Sequence, residues 1–306
     1  MSVESINRFT IKYFRKILRA TDLVNLKNDK FYDKYYEYIL RKLDKVLTKS
    51  WEESECSQNF ENNSRLEENK IWVMWWQGYQ SAPKIIKNNI ENLKKIFGKR
   101  LVFIDKQNFE NYTNISPIVQ KAFEDKRISF TQWSDIIRYN LLKNNGGLWI
   151  DSSVRISEKI LDIPHFFNSP FISLCSKKNT SKFISYGQWA GWFIGGDPNY
   201  SLFRFVDTFF KNYYQMYNET IDYFFADDAV AFFYKNNSEF RDLIGKQARV
   251  WDPYLFIKNY ESTNLNELLR KYQNDPIYCI QKVTYKFNYE KAVKGSLADR
   301  LEQGHI

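Results

Sequence analysis

The sequence predicts an α/β protein in which a sheet flanked by helices follows an N-terminal helical extension. From Lys70 onward, short apolar runs alternate with helix-length segments, a texture typical of β-α-β units. The chain has 306 residues, of which 43% are hydrophobic and 18% aromatic. A chain of this length can bury about three-quarters of its unfolded surface, so a substantial core is available.

Composition and charge narrow the function classes. The low content of glycine (11) and proline (7) excludes a collagen-like or low-complexity chain. The net charge of +9 is compatible with nucleic acid, an anionic membrane surface or a phosphorylated substrate. Residues 1–50 carry 12 Lys and Arg against 6 Asp and Glu, whereas residues 51–69 carry six Glu against one Arg. The positive charge is therefore concentrated at the start of the chain.

The N-terminal segment predicts a basic amphipathic helix. Between Ile6 and Leu18, large apolar residues recur at steps of three and four, with Lys and Arg between them. Such a helix either lies in an anionic headgroup layer or packs on its own domain, and both interpretations stay open. A second helix is predicted over Lys30–Leu47, followed by an acidic connector at Trp51–Asn69. We therefore expect a helical extension with its connector over 1–69 and a second domain over 70–306.

The sequence shows no transmembrane run, no secretion signal and no CxxC pair. No run reaches the roughly 18 apolar residues that a transmembrane helix needs, and the N-terminus lacks the apolar core of a secretion signal. The cysteines Cys56, Cys175 and Cys279 lie far apart and form no CxxC pair. These features predict a cytoplasmic protein with idle thiols.

The elements of the second domain follow in order. Strands are predicted at Ile71–Trp75, Leu101–Ile104 and Leu148–Ile150, with helices at Pro83–Phe97 and Gln132–Asn144. This spacing is that of a Rossmann-like nucleotide-binding half. Further short runs at Phe171–Cys175 and Trp192–Ile194 precede an aromatic-rich helical stretch over Ser201–Tyr234.

The segment from Ser134 to Ser153 carries the strongest chemical signal. Asp135 and Arg138 are three apart and share a helix face that differs from the apolar stripe. Gly146 and Gly147 tolerate positive φ and turn the helix into a strand whose end presents Asp151. Ligands of open α/β sheets bind at the carboxyl ends of strands, so Asp151 lies where phosphates are expected. Alternatively, Asp135 and Arg138 form an ordinary surface ion pair, and Asp151 is an ordinary loop carboxylate.

Three motifs in this order resemble bacterial capsular polysaccharide synthesis glycosyltransferases. They are the stretch from Trp72 to Gly78, then Ser134-Asp135-x-x-Arg138, then Gly146-Gly147-Leu148-Trp149-Ile150-Asp151. That family is related to the family 32 glycosyltransferases and to the glucosylating domains of large clostridial toxins. The resemblance implies a GT-A type fold with a Rossmann-like mixed sheet. It also implies retaining transfer of a hexose from a nucleotide sugar, with UDP-galactose or UDP-glucose as the expected donor.

The resemblance assigns roles by motif position. It implies that Trp75, with Trp76 beside it, stacks on the nucleotide base. It implies that Asp135 and Arg138 bind donor-sugar hydroxyls, and it matches Asp151 to the first carboxylate of a DxD motif. The remaining expected donor contacts are Gly146, Gly147, Trp149 and Lys286.

The metal expectation is weaker because the motif reads Asp151-Ser152-Ser153, with serine in place of the second carboxylate. Hard cations such as Mn²⁺ or Mg²⁺ accept few neutral ligands without carboxylates. Asp151 and Ser153 would therefore need a further ligand, for which His305 is a candidate. Lys282 and Lys286 are the alternative phosphate partners if the cation is weak or absent.

Acids in the second half form the pool for a nucleophile or an acceptor-binding carboxylate. They are Asp222, Asp227 and Asp228. Retention of configuration allows either a carboxylate nucleophile or a front-face route in which the leaving phosphate takes the acceptor proton. Both routes stay open at this point.

The favoured function is an enzyme that extends a capsule or exopolysaccharide glycan on a lipid-linked acceptor at the inner face of the plasma membrane. The N-terminal helix would then hold the protein at that surface. A toxin-like protein glycosyltransferase is less favoured because no delivery domain is visible. A nucleic-acid-binding protein is least favoured, since the basic charge lies mostly outside the aromatic-rich part.

Overall fold

The computed structural model describes residues 8–23, 29–54, 70–163, 169–176, 181–247, 249–250 and 252–306. It confirms an α/β architecture with a mixed five-stranded sheet, flanking helices and an N-terminal helix. Most of the predicted acidic connector lies outside the described residues, as do Cys56 and the start of the predicted first helix. Cys175 and Cys279 are buried free thiols.

The described helices and strands alternate along most of the chain. The helices are α1 (Arg8–Leu23), α2 (Asp29–Glu53), α3 (Lys84–Phe97), α4 (Pro117–Glu124), α5 (Phe130–Asn145), α6 (Ser201–Met216), α7 (Phe225–Asn236), α8 (Ser238–Gly245), α9 (Leu255–Lys258), α10 (Asn266–Asn274) and α11 (Leu297–Gln303). The strands are β1 (Ile71–Met74), β2 (Leu101–Ile104), β3 (Gly147–Ile150), β4 (Val154–Ile156), β5 (Phe171–Ser173), β6 (Cys175–Ser176), β7 (Phe193–Gly196), β8 (Arg249–Val250) and β9 (Ile280–Lys282).

The main sheet has the strand order β2-β1-β3-β7-β5. Strands β2, β1 and β3 are parallel, with Ile71 opposite both Leu101 and Leu148. Strand β7 is antiparallel to β3 and to β5. The three strands predicted before residue 151 are therefore neighbours, and their carboxyl ends meet at one edge of the sheet.

Successive side chains of a strand point to opposite faces of the sheet, and both faces are covered here. Trp72 and Trp149 lie on the face covered by α2, α5, α6 and α7. Ile71, Val73 and Leu148 lie on the other face, against α3 and α11. Covered faces explain why these strands read as continuous apolar runs.

The N-terminal helices pack on the rest of the chain. Helix α2 contacts α6 and α7, and its residues Ile39 and Leu43 are fully buried. Helix α1 buries Ile11 and Leu18, and the Arg15 guanidinium lies 3.3 Å from the Asp222 carboxylate. Of the two interpretations of α1, packing on its own chain is therefore observed, while membrane contact stays a prediction. None of the helices within the described ranges is both long and apolar enough to cross a bilayer.

The helical stretch predicted over Ser201–Tyr234 consists of two helices, since α6 ends at Met216 and α7 begins at Phe225. The Asp222 carboxylate accepts a hydrogen bond from the backbone N–H of Phe224 (3.1 Å) and another from the Tyr35 hydroxyl (2.6 Å). An aspartate that bonds its own backbone two residues on favours a turn over a helix. Contact with α2 therefore holds the chain reversal between α6 and α7.

Candidate active site

A pocket of about 530 Å³ opens at the carboxyl ends of β1 and β3, within the usual range for small-molecule sites. Residues from β1, α5, β3 and a C-terminal loop form its walls. They are Met74, Trp75, Trp76, Gln77, Ser81, Phe130, Thr131, Ser134, Asp135, Arg138, Trp149, Asp151, Ser152, Ser153 and Tyr285. The structure therefore brings Trp75, Trp76, Asp135, Arg138, Trp149, Asp151 and Ser153, all predicted site residues, to one cavity.

Helix α5 sets the positions of Asp135 and Arg138. Its start is secured by a capping box, in which the Ser129 hydroxyl accepts from the Gln132 N–H and the Gln132 side chain accepts from the Ser129 N–H. One turn later Asp135 and Arg138 lie on the same face, and the Arg138 Nη1 donates to Asp135 Oδ1 over 2.7 Å. The predicted sharing of a helix face is observed, with Arg138 buried.

The glycine pair has a packing role at the far end of β3. Gly146 (φ 62°) ends α5 and Gly147 (φ 91°) begins β3, so both need a backbone that glycine adopts most readily. A Cβ on Gly147 would lie 2.3 Å from the carbonyl oxygen of Lys70. Because β3 runs from Gly147 to Ile150 before Asp151, the pair lies at the opposite end of the strand from the pocket. Gly146 and Gly147, which were expected to contact the nucleotide sugar, therefore lie away from the pocket.

Asp151 is the hub of the polar network. Its Oδ1 accepts from Arg138 Nη2 (3.1 Å) and from the Trp149 indole N–H (2.9 Å). Its Oδ2 accepts from the Lys282 ammonium (3.0 Å), which also donates to Ser153 Oγ (2.9 Å). The Arg138 guanidinium carbon lies 5.0 Å from the centroid of the Trp149 ring. Two carboxylates and two cations therefore alternate across the floor of the site.

This alternation separates the pKa values of the two pocket acids. Burial raises the pKa of Asp151, but Lys282 and Arg138 together outweigh it and hold that pKa below its usual value. Burial raises the pKa of Asp135 to about 7, since Asp227 and Asp151 add to the effect and Arg138 offsets only part of it. Asp151 is thus an anion at neutral pH, whereas Asp135 takes up or loses a proton there.

The aromatic walls differ in their freedom to contact a ligand. Trp76 packs edge-on against Phe109 and Trp133, so much of its surface is used within the core. Trp75 is half-buried and meets the exposed Tyr285 at a ring distance of 5.3 Å and an angle of 88°. Of the two predicted stacking residues, Trp75 with Tyr285 is the better placed to receive a base.

The acids of α7 lie behind the pocket. The Trp189 indole N–H donates to Asp227 Oδ1 over 2.8 Å. A Cβ on Gly191 would lie 3.5 Å from Arg138 Nη1 and 3.6 Å from Asp227 Oδ1, so both groups lie close to Gly191. Asp228 is fully buried, and neither of its oxygens has a hydrogen-bond partner in the described part of the chain. Asp227 and Asp228 are not among the residues that line the pocket, but Asp227 lies close enough to Asp135 and Arg138 to affect the pKa of Asp135.

The predicted metal and phosphate residues are divided. Ser153 lies beside Asp151, but His305 is exposed at the end of α11, a helix that packs on α3. Lys286 is also exposed, and it is not among the residues that line the pocket. Within the described ranges, no group of three or more His, Cys, Asp or Glu side chains is placed to hold a metal ion. Of the predicted metal ligands, Asp151 and Ser153 therefore lie together, and His305 is not among the residues that line the pocket.

Two residues of the site had only weak sequence signals. Lys282, like Lys286, is not among the residues that line the pocket, but it contacts Asp151 and Ser153, which are. The pairing of β9 with β4 places it there. Tyr285 belongs to none of the three motifs that carry the family resemblance. Both come from a segment more than 125 positions after Asp151, which no local pattern connects to it.

Comparison with known proteins agrees with these motifs. An uncharacterized glycosyltransferase of Acanthamoeba polyphaga mimivirus is 29% identical over 155 residues, covering 49% of this chain and 57% of the viral protein. The match thus spans less than two thirds of that relative. No solved structure matches the chain. The family described as capsular polysaccharide synthesis protein matches residues 22–301, which include every element around the pocket. The chain therefore belongs to the capsular polysaccharide synthesis protein family.

Proposed function

We propose that the protein is a retaining glycosyltransferase of GT-A type that moves a hexose from a UDP-sugar to a lipid-linked glycan acceptor. The observation that carries this proposal is the polar cluster of Asp135, Arg138 and Asp151 in one pocket at the carboxyl ends of β1 and β3. Ligands of open α/β sheets bind at this edge. The family and the viral relative support sugar transfer over other nucleotide chemistry.

The pocket offers separate surfaces to the parts of a nucleotide sugar. Trp75 and Tyr285 provide aromatic faces for a base, each stacking contact worth roughly 1–3 kcal/mol. Asp135 and Arg138 provide hydrogen-bond partners for sugar hydroxyls. The diphosphate links the base to the sugar, and the turn of Asp151 and Ser153 faces its position. These contacts with the donor do not require Mn²⁺ or Mg²⁺.

The reaction breaks the bond from the anomeric carbon to the β-phosphate oxygen, and that oxygen keeps the electron pair. The acceptor hydroxyl oxygen forms the new bond to the same carbon and gives up its proton. Asp135 and Asp151, the carboxylates on the pocket wall, both accept hydrogen bonds from Arg138, which lowers their nucleophilicity. We infer the front-face route, in which the proton passes to the departing β-phosphate.

Position at a membrane is part of the proposal. Helix α1 leaves Tyr13 and Ile17 exposed, with the exposed Lys16 beside them. Aromatic, aliphatic and basic side chains together favour the interface of an anionic bilayer. This surface would hold the enzyme at the inner face of the plasma membrane, next to a lipid-linked acceptor.

A panel of nucleotide sugars tests the proposed function. UDP-glucose or UDP-galactose should raise the unfolding temperature, since a ligand at 100 times its Kd adds about 2.7 kcal/mol to stability. ADP-glucose and a short oligonucleotide serve as controls. Stabilisation by the oligonucleotide alone would contradict the proposal and favour nucleic-acid binding.

A further inference from the structure

We propose that the ammonium of Lys282 takes the place of a divalent cation at the Asp151–Ser153 turn and stabilises the diphosphate leaving group. This inference rests on the proposed function, because it assigns the chemistry of the same pocket. It makes Lys282 a catalytic residue and predicts sugar transfer that does not require a metal ion.

The position of the ammonium supports the proposal. Lys282 Nζ lies 3.0 Å from Asp151 Oδ2 and 2.9 Å from Ser153 Oγ, between the first and third residues of the motif. It also lies 5.0 Å from the centroid of the Trp192 ring. A cation bound by both oxygens would need to lie within about 2.0–2.6 Å of each, in the space that the ammonium fills.

The Lys282 ammonium occupies the oxygen atoms that a metal ion would need at this point. Asp151 Oδ1 already accepts hydrogen bonds from Arg138 and Trp149, which leaves one carboxylate oxygen and one hydroxyl. Mg²⁺ at phosphate sites is held by one or two carboxylates together with waters and substrate phosphates, so it would need the Asp151 oxygen that Lys282 already contacts. A divalent ion here would also meet the positive charge of Lys282 at short range.

The backbone fixes the lysine before any ligand binds. Strands β4 and β9 pair antiparallel, with Val154 opposite Lys282. The Val283 N–H donates to the Ser153 carbonyl (2.9 Å), and the Lys282 N–H donates to the Pro253 carbonyl (2.6 Å). The side chain of Lys282 is only 14% exposed. Its charge is therefore held in place, the condition under which a fixed charge lowers a barrier most.

The ammonium keeps a free donor for the leaving group. An ammonium has three N–H donors, and two of those of Lys282 are used on Asp151 and Ser153. As the bond from the anomeric carbon to the β-phosphate oxygen breaks, negative charge grows on that oxygen. Lys282 stabilises this charge through its remaining N–H donor, while the acceptor proton passes to the same phosphate.

Metal dependence of the wild-type protein is the first test. Hydrolysis of UDP-glucose and UDP-galactose should continue at more than half its rate after full exchange into EDTA. Complete loss in EDTA, restored by Mn²⁺, would overturn the inference and leave the proposed function intact. Wild-type protein that neither binds UDP nor cleaves either sugar nucleotide would instead overturn the proposed function, and this inference with it.

Substitution of the lysine is the second test. Lys282→Met should lower the hydrolysis rate by about 10²–10³-fold, the usual effect of removing one transition-state donor. Its Kd for UDP should rise at least tenfold, whereas its Kd for uridine, which has no phosphate, should not change. Lys294→Met, on an exposed lysine with no role in the site, is the matched control and should resemble wild type. Equal weakening for UDP and uridine would indicate a merely structural lysine and overturn the inference.

Discussion

Two acids, the partly exposed Asp151 of the pocket and the fully buried Asp228 of α7, differ in their partners. On the pocket floor, Asp151 contacts both Arg138 and Lys282, and its pKa lies below the usual value although burial opposes this. On α7, Asp228 has no hydrogen-bond partner among the described residues, and burial together with Asp222 and Asp227 raises its pKa well above the usual value. Burial alone neutralises a carboxyl group, whereas paired cations keep it charged. At neutral pH the unpaired Asp228 therefore costs stability, whereas the paired Asp151 contributes to it.

The largest expected effect comes from removing the pocket anion. Asp151→Asn should lower UDP-sugar hydrolysis by at least 10²-fold, since it loses the charge that orients Arg138 and Lys282. The fold should persist, as judged by circular dichroism. Near-normal turnover of this variant would remove Asp151 from the site.

Loss of the shared cation is expected to affect stability most. Arg138→Met leaves Asp135 and Asp151 without their common partner, and breaking a buried ion pair in this way costs about 3–5 kcal/mol. Urea unfolding at pH 7.5 measures the cost. The double variant with Asp135→Asn should recover part of it, because one of the two uncompensated carboxyls is then neutral. Additive losses in the double variant would contradict the coupling.

The two acid groups should respond to pH in opposite directions. Asp228 has a raised pKa in the folded state, so its contribution to stability is present at low pH and falls as the unfolded chain ionises above pH ~4. Asp228→Asn should therefore stabilise the protein at pH 8 and change little at pH 4. Thermal unfolding at both pH values measures this effect.

Asp151 provides the contrast for that measurement. Its pKa is lowered in the folded state, so it stabilises the fold above pH ~4 and loses that contribution as the pH falls through its folded pKa. Asp151→Asn should destabilise the protein at pH 8, with the difference shrinking in acid. The same sign of change in both variants at pH 8 would show that the two groups do not differ as described.

The smallest expected effect concerns helix α1. Lys16→Glu should weaken binding to anionic vesicles by about 30-fold, since each unit of charge near such a surface contributes about 1 kcal/mol and the substitution changes the charge by two units. Sedimentation with phosphatidylserine vesicles measures binding, and Lys294→Glu, an equal charge change far from α1 in sequence, is the control. Unchanged binding of Lys16→Glu would leave α1 with packing as its role.

The spacing of residues along the chain was sufficient to predict the part of the site that α5 and the end of β3 form. A separation of three residues places Asp135 and Arg138 on one face of a helix, and a glycine pair followed by an apolar run places Asp151 at a strand end. The three strands around this segment were predicted within one residue at each end, because their apolar runs have clear limits. The division of Ser201–Tyr234 into two helices was missed, since its cause is a contact between Asp222 and Tyr35 across 187 positions.

The rest of the site depends on the packing of segments that are distant in the sequence. Lys282 reaches Asp151 across 131 positions through the pairing of β4 and β9, and nothing in its own neighbourhood in the chain distinguishes it from Lys286. The charge states of Asp135, Asp151 and Asp228 likewise depend on desolvation and on the cations brought beside them. Periodicity and turn chemistry act over a few residues and can be read along the chain, whereas strand pairing and burial exist only after the chain has folded.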